Sequence, residues 1–238
     1  SDLNTRVVKS IECNANTRIS AKGKRDVVIG LLARALLSSD KKLIEYVIGK
    51  RLKETDLIKN PIITGFRTDR DSSARYYIKV YNKSRQMETD ENVFRLELQY
   101  TSRGVKQIFG TQEDVTLEDV MQLNNIKRIT NRYITDVEAF IEPCINEYLI
   151  GSKKVILKDL KRGYKAYRTF LLHHDIVQYD YNIFREALEM YYSFEGKRVQ
   201  TARQRASKIK KQAEFEGIEI YEGAIKELKK FLENIRLQ

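Results

Sequence analysis

Two short runs between residues 75 and 101 constrain the fold of this chain more than any other part of its sequence. The first, at about 75–82, alternates apolar residues with lysine and tyrosine, and the second, at about 93–101, alternates apolar residues with arginine, glutamate and glutamine. Alternation with a period of two, in aromatic and β-branched residues, is typical of strands that bury one face. The segment between them is polar and charged and predicts a turn, so we expect two neighbouring antiparallel strands.

The second face of these strands is unusual for a sheet surface. It carries Lys79, Tyr81 and Lys83 from the first strand and Arg95 and Glu97 from the second, where a plain sheet has Thr or Ser. Adjacent strands then present cations, a phenol and a carboxylate together. This combination suits work on a phosphate backbone.

The balance of charge favours a polyanionic partner. The chain has 44 Lys and Arg against 33 Asp and Glu, a formal net charge of +11 and a pI near 9.5. An excess of cations of this size most often serves nucleic acid. The alternative is a basic protein without such a partner, because net charge reports on partners only indirectly.

Length and hydropathy exclude several classes of protein. Hydrophobic residues make up 42% of the 238 residues, which is enough for one large or two modest domains. Cys13 and Cys144 form no disulfide framework, and two cysteines are typical of a reducing compartment. The longest apolar run, 27–37, contains Arg34 and is shorter than the roughly 20 residues that span a bilayer. With no visible signal peptide, we expect a soluble, cytoplasmic protein without a membrane partner.

Local patterns predict an α+β domain followed by helices. The predicted strands are 3–13, 62–67, 75–82 and 93–101, and the predicted helices are 26–38, 40–53, 116–123, 125–149, 156–174, 181–193, 197–216 and 221–236. Residues 14–24 predict a loop or hairpin tip, and residues 102–115 predict a glycine-containing connection. Thr116 and Asp119 have the spacing of a capping box.

These elements divide the chain into two predicted domains. Residues 1–150 are expected to form an antiparallel sheet with packed helices, and residues 151–238 a mainly helical, basic region. Gly151 and Ser152 are the predicted hinge between them. The oligomeric state stays open, and a homo-oligomer is one alternative.

Glu97 is the first candidate for metal binding. It lies in mid-strand between Leu96 and Leu98 and points to the opposite face, and a sheet fixes the position of such a carboxylate. The alternative is an ion pair across the ladder with Lys79 or Lys83. Asp2, at the start of the first predicted strand, is a candidate second ligand.

Cations surround this strand pair. Lys83 ends the first strand and could neutralise a phosphate or a leaving oxyanion, although lysine is also common in turns. The neighbouring loops carry candidate phosphate contacts, which position nucleic acid without reading its sequence. These are Arg67, Arg70, Arg75 and Arg85.

A tyrosine is the candidate nucleophile. The chain has 14 tyrosines, and a phenol can attack phosphorus to form a phosphotyrosyl link when a metal ion or cations polarise the phosphate. The candidates are Tyr100, Tyr133, Tyr164 and Tyr167. Each of them could instead be a packing residue. Tyr133 is the first choice, because its helix follows the sheet and could pack on the polar face.

The most basic segment of the chain is 197–211. Its cations are Lys197, Arg198, Arg203, Arg205, Lys208, Lys210 and Lys211, with no acid among them. On a helix they would form a basic stripe that could follow a nucleic-acid backbone or enter a groove. The alternative is a solvated helix face. Residues 157–192 could hold a helix-turn-helix, although its turn residues are not distinctive.

Other chemistries have little support in the sequence. The chain has no phosphate-binding loop, dinucleotide fingerprint, nucleophile elbow or zinc-ligand spacing. His173 and His174 are adjacent, so on a helix their side chains would point about 100° apart rather than toward one metal. We expect them to be a helix C-terminal feature.

Segments 78–86 (IKVYNKSRQ) and 93–110 (VFRLELQYTSRGVKQIFG) resemble the rolling-circle replication initiators of plasmids and filamentous phages. In that family a strand "apolar-x-apolar-Tyr-Asp/Asn-Lys-x-x-Glu/Gln" precedes a strand "Arg-apolar-Glu-apolar". Residues 63–77 (ITGFRTDRDSSARYY) resemble the strand and loop that come before, and residues 1–6 resemble a shortened "Arg-apolar-Asp" strand. The resemblance covers roughly residues 1–140.

The resemblance implies an enzyme of a bacterial host cell that nicks and rejoins one DNA strand at an origin. By analogy, Glu97 and Asp2 would bind Mg²⁺ or Mn²⁺, Lys83 would support the site, and a tyrosine would become linked to the 5′ phosphate. The histidine pair of many relatives is absent here, and no motif identifies the tyrosine. The sheet face would hold single-stranded DNA and the basic helices would hold duplex. The alternative is a DNA-binding regulator or accessory protein that keeps the fold without the chemistry.

Overall fold

The computed structural model describes residues 6–19, 22–38, 42–45, 49–53, 65–69, 73–84, 91–174 and 180–237. Within these ranges the chain forms six strands and eight helices. The strands are β1 (Ser10–Arg18), β2 (Leu43–Glu45), β3 (Arg51–Leu52), β4 (Gly65–Thr68), β5 (Tyr76–Asn82) and β6 (Val93–Thr101). The helices are α1 (Lys22–Ser38), α2 (Ser102–Phe109), α3 (Leu117–Met121), α4 (Leu123–Lys161), α5 (Ala166–Leu172), α6 (Tyr181–Phe194), α7 (Val199–Phe215) and α8 (Ala224–Arg236).

The strands form one antiparallel sheet in the order β1-β6-β5-β4-β2-β3. β5 and β6 pair along their length, as their alternation predicted. The α+β class and the antiparallel sheet are therefore confirmed. Among the helices of the described ranges, none combines the length and apolarity needed to cross a bilayer.

The chain divides into two compact units. The first contains residues 1–142 and 230–238, and the second contains residues 143–229. The predicted boundary at 150 lies near this division. The predicted end of a helix at residue 149 is wrong, because α4 continues through Gly151 to Lys161.

The apolar face of the sheet is the core of the first unit. Its central side chains, Phe94 and Leu96, are fully buried. The Phe94 ring packs edge-on against Phe231 of α8, with centroids 5.2 Å apart. On α4, the Tyr133 hydroxyl donates to the Leu96 carbonyl oxygen at 3.2 Å. The first-unit parts of α4 and α8 therefore cover the apolar face of β6.

The predicted helix 40–53 is wrong for the part of that range that the structure describes, residues 42–45 and 49–53. Leu43 pairs with Leu52 across β2 and β3, and with Thr68 across β2 and β4. Gly49 adopts a left-handed conformation, with φ of 71°, between the two strands, and glycine does so without a steric cost. Leu43 and Ile44 fit a helical period, but the ladder to β4 overrides that local preference.

The first strand lies later in the chain than predicted. β1 runs Ser10–Arg18, so the start of the predicted loop 14–24 belongs to a strand. Asn14 and Asn16 alternate with Cys13 and Ala15 and lie opposite the polar residues of β6. Polar residues are compatible with a strand here because they occupy the polar face of the sheet.

A helix also lies within the predicted connection 102–115. Thr101 caps the N-terminus of α2, and Gly110, with φ of 67°, ends it. Gly104 is required because a Cβ there would lie 2.1 Å from the Arg75 carbonyl oxygen. The predicted capping box is confirmed, since Thr116 and Asp119 exchange hydrogen bonds at the start of α3.

Candidate functional site

Glu97 lies at the centre of the polar sheet face and is 3% exposed. Its carboxylate accepts a hydrogen bond from the Tyr81 hydroxyl at 2.5 Å. Its oxygens also lie 3.4 Å from Lys79 Nζ and 3.5 Å from Arg95 Nη1. With Glu12, which pairs with Lys79 at 2.7 Å, these residues form what we call the Glu97 cluster.

The strand register builds the Glu97 cluster. Lys79 on β5 lies directly opposite Glu97 on β6, and Tyr81 lies opposite Arg95. Arg95 Nε also donates to Asn16 Oδ1 of β1 at 2.6 Å. Side chains opposite each other on one face are close enough to pair, so three strands hold the carboxylate from both sides.

Electrostatics within the cluster are balanced. Two carboxylates, Glu12 and Glu97, face two cations, Lys79 and Arg95. Burial, followed by the hydrogen bond to Glu97, raises the pKa of the Tyr81 phenol well above its ordinary value. Burial lowers the pKa of Lys79, but the hydrogen bonds and charges of Glu12 and Glu97 outweigh it and leave the pKa raised. The phenol therefore stays protonated and the lysine stays charged near neutral pH.

Of the two predicted metal ligands, the structure describes Glu97. The alternative given by the sequence, an ion pair between Glu97 and Lys79, is observed. Among the described residues, no group of three or more His, Cys, Asp or Glu is placed to hold a metal ion. Asp2 lies outside the described residues. One carboxylate already paired with two cations does not by itself fit Mg²⁺ or Mn²⁺, which bind through several oxygen ligands.

Tyr133 does not share a face with the Glu97 carboxylate. It is buried on α4 with its hydroxyl on the backbone of β6, and burial raises the pKa of its phenol. The expectation that its helix packs on the polar face is wrong, because α4 covers the apolar face. Ile129, Tyr133 and Val137 lie four residues apart on successive turns of α4, and all three are buried. This spacing gives the helix one apolar side.

Tyr100 also belongs to the core. It is 1% exposed, and its hydroxyl donates to Asp136 Oδ2 at 3.0 Å. Arg132 pairs with the same carboxylate at 2.8 Å. Burial and then the Asp136 charge raise the pKa of the Tyr100 phenol. Packing is the role that these contacts support for Tyr100.

The remaining candidate tyrosines lie in the second unit. The Tyr167 hydroxyl donates to Glu216. Tyr164 is 36% exposed, and the Arg168 guanidinium lies 5.2 Å from its ring centroid.

The predicted cations around the strand pair have different positions. Arg67 on β4 is half-buried and lies opposite Lys79, so it shares the polar face with Glu97. Arg75 is exposed just before β5. Lys83 follows β5, and its backbone N–H donates to the Val93 carbonyl oxygen. Arg70 and Arg85 lie outside the described residues.

Sequence reasoning left Glu12 and Asn16 out of the candidate site, and it placed Arg95 on the polar face without giving it a role. Arg95 had a detectable signal, since it alternates in phase with Glu97. Glu12 and Asn16 had none, because only the β1–β6 register brings them to this face.

The basic helix α7 has two contrasting sides. Its buried side consists of Ala202, Ala206, Ile209 and Ala213. Arg203 pairs with Glu189 at 3.0 Å, and Lys210 pairs with Glu222 at 3.1 Å. Lys197 lies 3.9 Å from Glu195.

Four exposed cations of this segment form no ion pair with any residue that the structure describes. They are Arg198, Arg205, Lys208 and Lys211. The apolar stripe packs and the unpaired cations face solvent, as an amphipathic basic helix requires.

The two histidines have separate partners. His173 Nε2 lies 2.6 Å from Asp159 Oδ2, and the His174 ring packs edge-on against Phe170. They do not converge on a common point in the way that metal ligands would.

Comparison of the chain with protein-family models, with curated proteins and with solved structures found no match.

Proposed function

We propose that this chain is a DNA-binding protein of the replication-initiator type that uses α7 to bind duplex DNA at an origin. The observation that carries the proposal is the set of four unpaired, exposed cations on α7 and the turn before it: Arg198, Arg205, Lys208 and Lys211. Their apolar neighbours are buried, so the helix is held in place while its cations stay available. The net charge of +11 and the resemblance of the sheet strands to rolling-circle initiators support the same reading.

Binding of this kind has a characteristic salt dependence. Cations that neutralise phosphates release condensed counterions, so affinity falls as salt rises, with a slope of about −0.9 per phosphate on duplex DNA. If all four cations contact phosphates, they account for a slope of about −3.6 in log K against log salt.

The test is a quadruple variant in which Arg198, Arg205, Lys208 and Lys211 are changed to Gln. A matched control changes Lys154, Lys226, Lys229 and Lys230, which are also exposed, to Gln with the same loss of charge. Fluorescence anisotropy with a labelled duplex is measured over a range of KCl concentrations. We expect the first variant to lose about 3.6 from the slope and the control to lose much less. Equal losses in both variants would show that only overall charge matters.

A second function, cleavage of one DNA strand through a tyrosine, is favoured by one specific contact. The Tyr81 hydroxyl lies 2.5 Å from the Glu97 carboxylate on the polar face, beside Lys79 and Arg95. We infer that Tyr81, rather than Tyr133, is the better candidate nucleophile.

The Tyr81 oxygen would attack phosphorus while its proton passes to Glu97. The bond from phosphorus to the 3′ oxygen would break, which leaves a 5′ phosphotyrosyl link and a 3′ oxygen that takes a proton from water to become a hydroxyl. Lys79 and Arg95 would stabilise the charge that develops on the phosphate oxygens. Tyr81 is 4% exposed, so the side chains that cover its phenol would have to move before a DNA strand could reach it.

Covalent trapping tests this second function. Protein is mixed with single-stranded origin DNA and Mn²⁺, and adducts are resolved on a denaturing gel. We expect an adduct with the unaltered chain and with Tyr133→Phe, and none with Tyr81→Phe. Glu97→Gln is expected to lose the adduct while keeping its DNA affinity. Absence of any adduct with the unaltered chain would reject cleavage and leave the DNA-binding function standing.

A further inference from the structure

The second unit contains a cavity of about 340 Å³, and two cations of the proposed duplex-binding set, Arg205 and Lys208, are among the residues that line it. Small-molecule sites in proteins typically range from about 300 to 1,000 Å³. The described residues that line it come from the end of α4, from the turn between α4 and α5, and from α5, α6 and α7. The polar and aromatic ones are Tyr164, Lys165, Tyr191, Tyr192, Thr201, Gln204, Arg205 and Lys208.

The cavity has aromatic walls. Tyr191 and Tyr192 meet edge-on, with ring centroids 6.1 Å apart, and both are half-buried. Tyr164 retains 36% of its surface exposed. Partly exposed phenol rings at a cavity are suitable for stacking, because every nucleobase has a flat π-face.

The charge of the cavity is one-sided. Lys165, Arg205 and Lys208 line it, and no acidic residue is among its described lining residues. None of these three cations forms an ion pair with a residue that the structure describes. The N-terminal turn of α7 reaches the cavity at Thr201, and no side chain caps that helix. The positive end of the helix dipole there adds to the attraction for an anion.

We propose that this cavity binds one unpaired nucleotide of single-stranded DNA. The base stacks against Tyr164 or Tyr192, the adjacent phosphates lie near Lys165, Arg205 and Lys208, and Thr201 and Gln204 supply polar contacts. This site goes beyond the proposed duplex binding, because stacking requires a base that has left the double helix.

The test compares two probes on the full chain. One is a labelled ten-nucleotide oligo(dT), and the other is a labelled blunt duplex; both are followed by fluorescence anisotropy. The double variant Tyr164→Leu and Tyr192→Leu removes two stacking surfaces. Since stacking contributes about 1–3 kcal/mol per base, we expect oligo(dT) affinity to fall by about 5- to 150-fold, with duplex affinity unchanged.

Two controls separate stacking from folding. The double variant Tyr164→Phe and Tyr192→Phe keeps both rings and should bind oligo(dT) as the unaltered chain does. Phe215→Leu removes an aromatic ring that is 92% exposed on α7 and does not line the cavity, so it should have no effect.

Several outcomes would overturn the inference. The Leu pair could bind oligo(dT) normally, or lose oligo(dT) and duplex affinity equally. Tighter binding of oligo(U) than of oligo(dT) would assign the cavity to RNA instead. If the unaltered chain binds duplex but not oligo(dT), the cavity site is rejected and the proposed function stands. If it binds oligo(dT) but not duplex, the proposed function is rejected and the cavity site stands.

Discussion

Individual residues in this protein are constrained most strongly where a charge is buried or where the backbone of another segment lies in contact. Glu97 is buried, so its charge requires the partners that Lys79, Arg95 and Tyr81 provide. Gly104 has a steric constraint instead, because α2 lies against the backbone at Arg75. Gly151, in α4, has no neighbour within 4 Å of a Cβ and has no such constraint.

The two glycines predict opposite effects of one substitution. Gly104→Ala forces a methyl group against a carbonyl oxygen and should destabilise the protein by about 1–3 kcal/mol. Gly151→Ala should stabilise it by about 0.5–1 kcal/mol, because alanine is the better helix former and the space is open. Urea unfolding of both variants measures the difference. Destabilisation by Gly151→Ala would contradict the open surroundings described for that position.

Among the elements, two helices, α6 and α8, share one buried carboxylate at their starts. Asp180 is 3% exposed and accepts a hydrogen bond from the Asn182 N–H at the start of α6. It also accepts bonds from the Gly223 and Ile225 N–H groups at the start of α8. Burial raises the pKa of this carboxyl, and the three backbone hydrogen bonds oppose that rise.

Replacing Asp180 by Ala should therefore cost more than losing an ordinary cap. Three backbone N–H groups would lose a partner, which predicts a loss of about 2–4 kcal/mol. Thr116→Ala removes the single, partly buried cap of α3 and should cost about 1 kcal/mol. Denaturant midpoints of the two variants give the comparison. A smaller loss for Asp180→Ala than for Thr116→Ala would contradict its role at two helices.

At the scale of the whole molecule, the chain forms two compact units, and each has a core of its own. The first unit packs the sheet against Tyr133, Phe231 and their neighbours. In the second unit, Phe170, Tyr181 and Phe184 form an aromatic cluster with ring centroids 5.3–6.4 Å apart. Compact units with separate cores commonly open as separate cooperative units.

Hydrogen exchange measured by mass spectrometry can resolve the two units. Gly104→Ala should accelerate amide exchange mainly in peptides from residues 91–142, and Asp180→Ala mainly in peptides from residues 180–229. The unaltered chain under the same conditions is the reference. If either variant accelerates exchange equally in both sets of peptides, the two units open as one.

Local sequence predicted the centre of the sheet and the helical half of the chain. β5 and β6 follow from alternation alone, because a period of two determines both the strand and the face of each side chain. The capping box at Thr116 and the amphipathic α7 are local patterns as well. The position of Glu97 in mid-strand on the polar face therefore needed no structure.

The surroundings of Glu97 were decided by tertiary structure. Glu12 is 67 residues from Lys79, and Asn16 is 79 residues from Arg95, so no local period could join them. α4 covers the apolar face of the sheet, so the sheet lies between Tyr133 and the Glu97 carboxylate. Burial of apolar surface across the whole first unit determines which face α4 covers. Strand pairing likewise overrode the helical period of residues 43–45. Sequence determined which residues alternate, cap and carry charge, whereas long-range packing determined which of them meet.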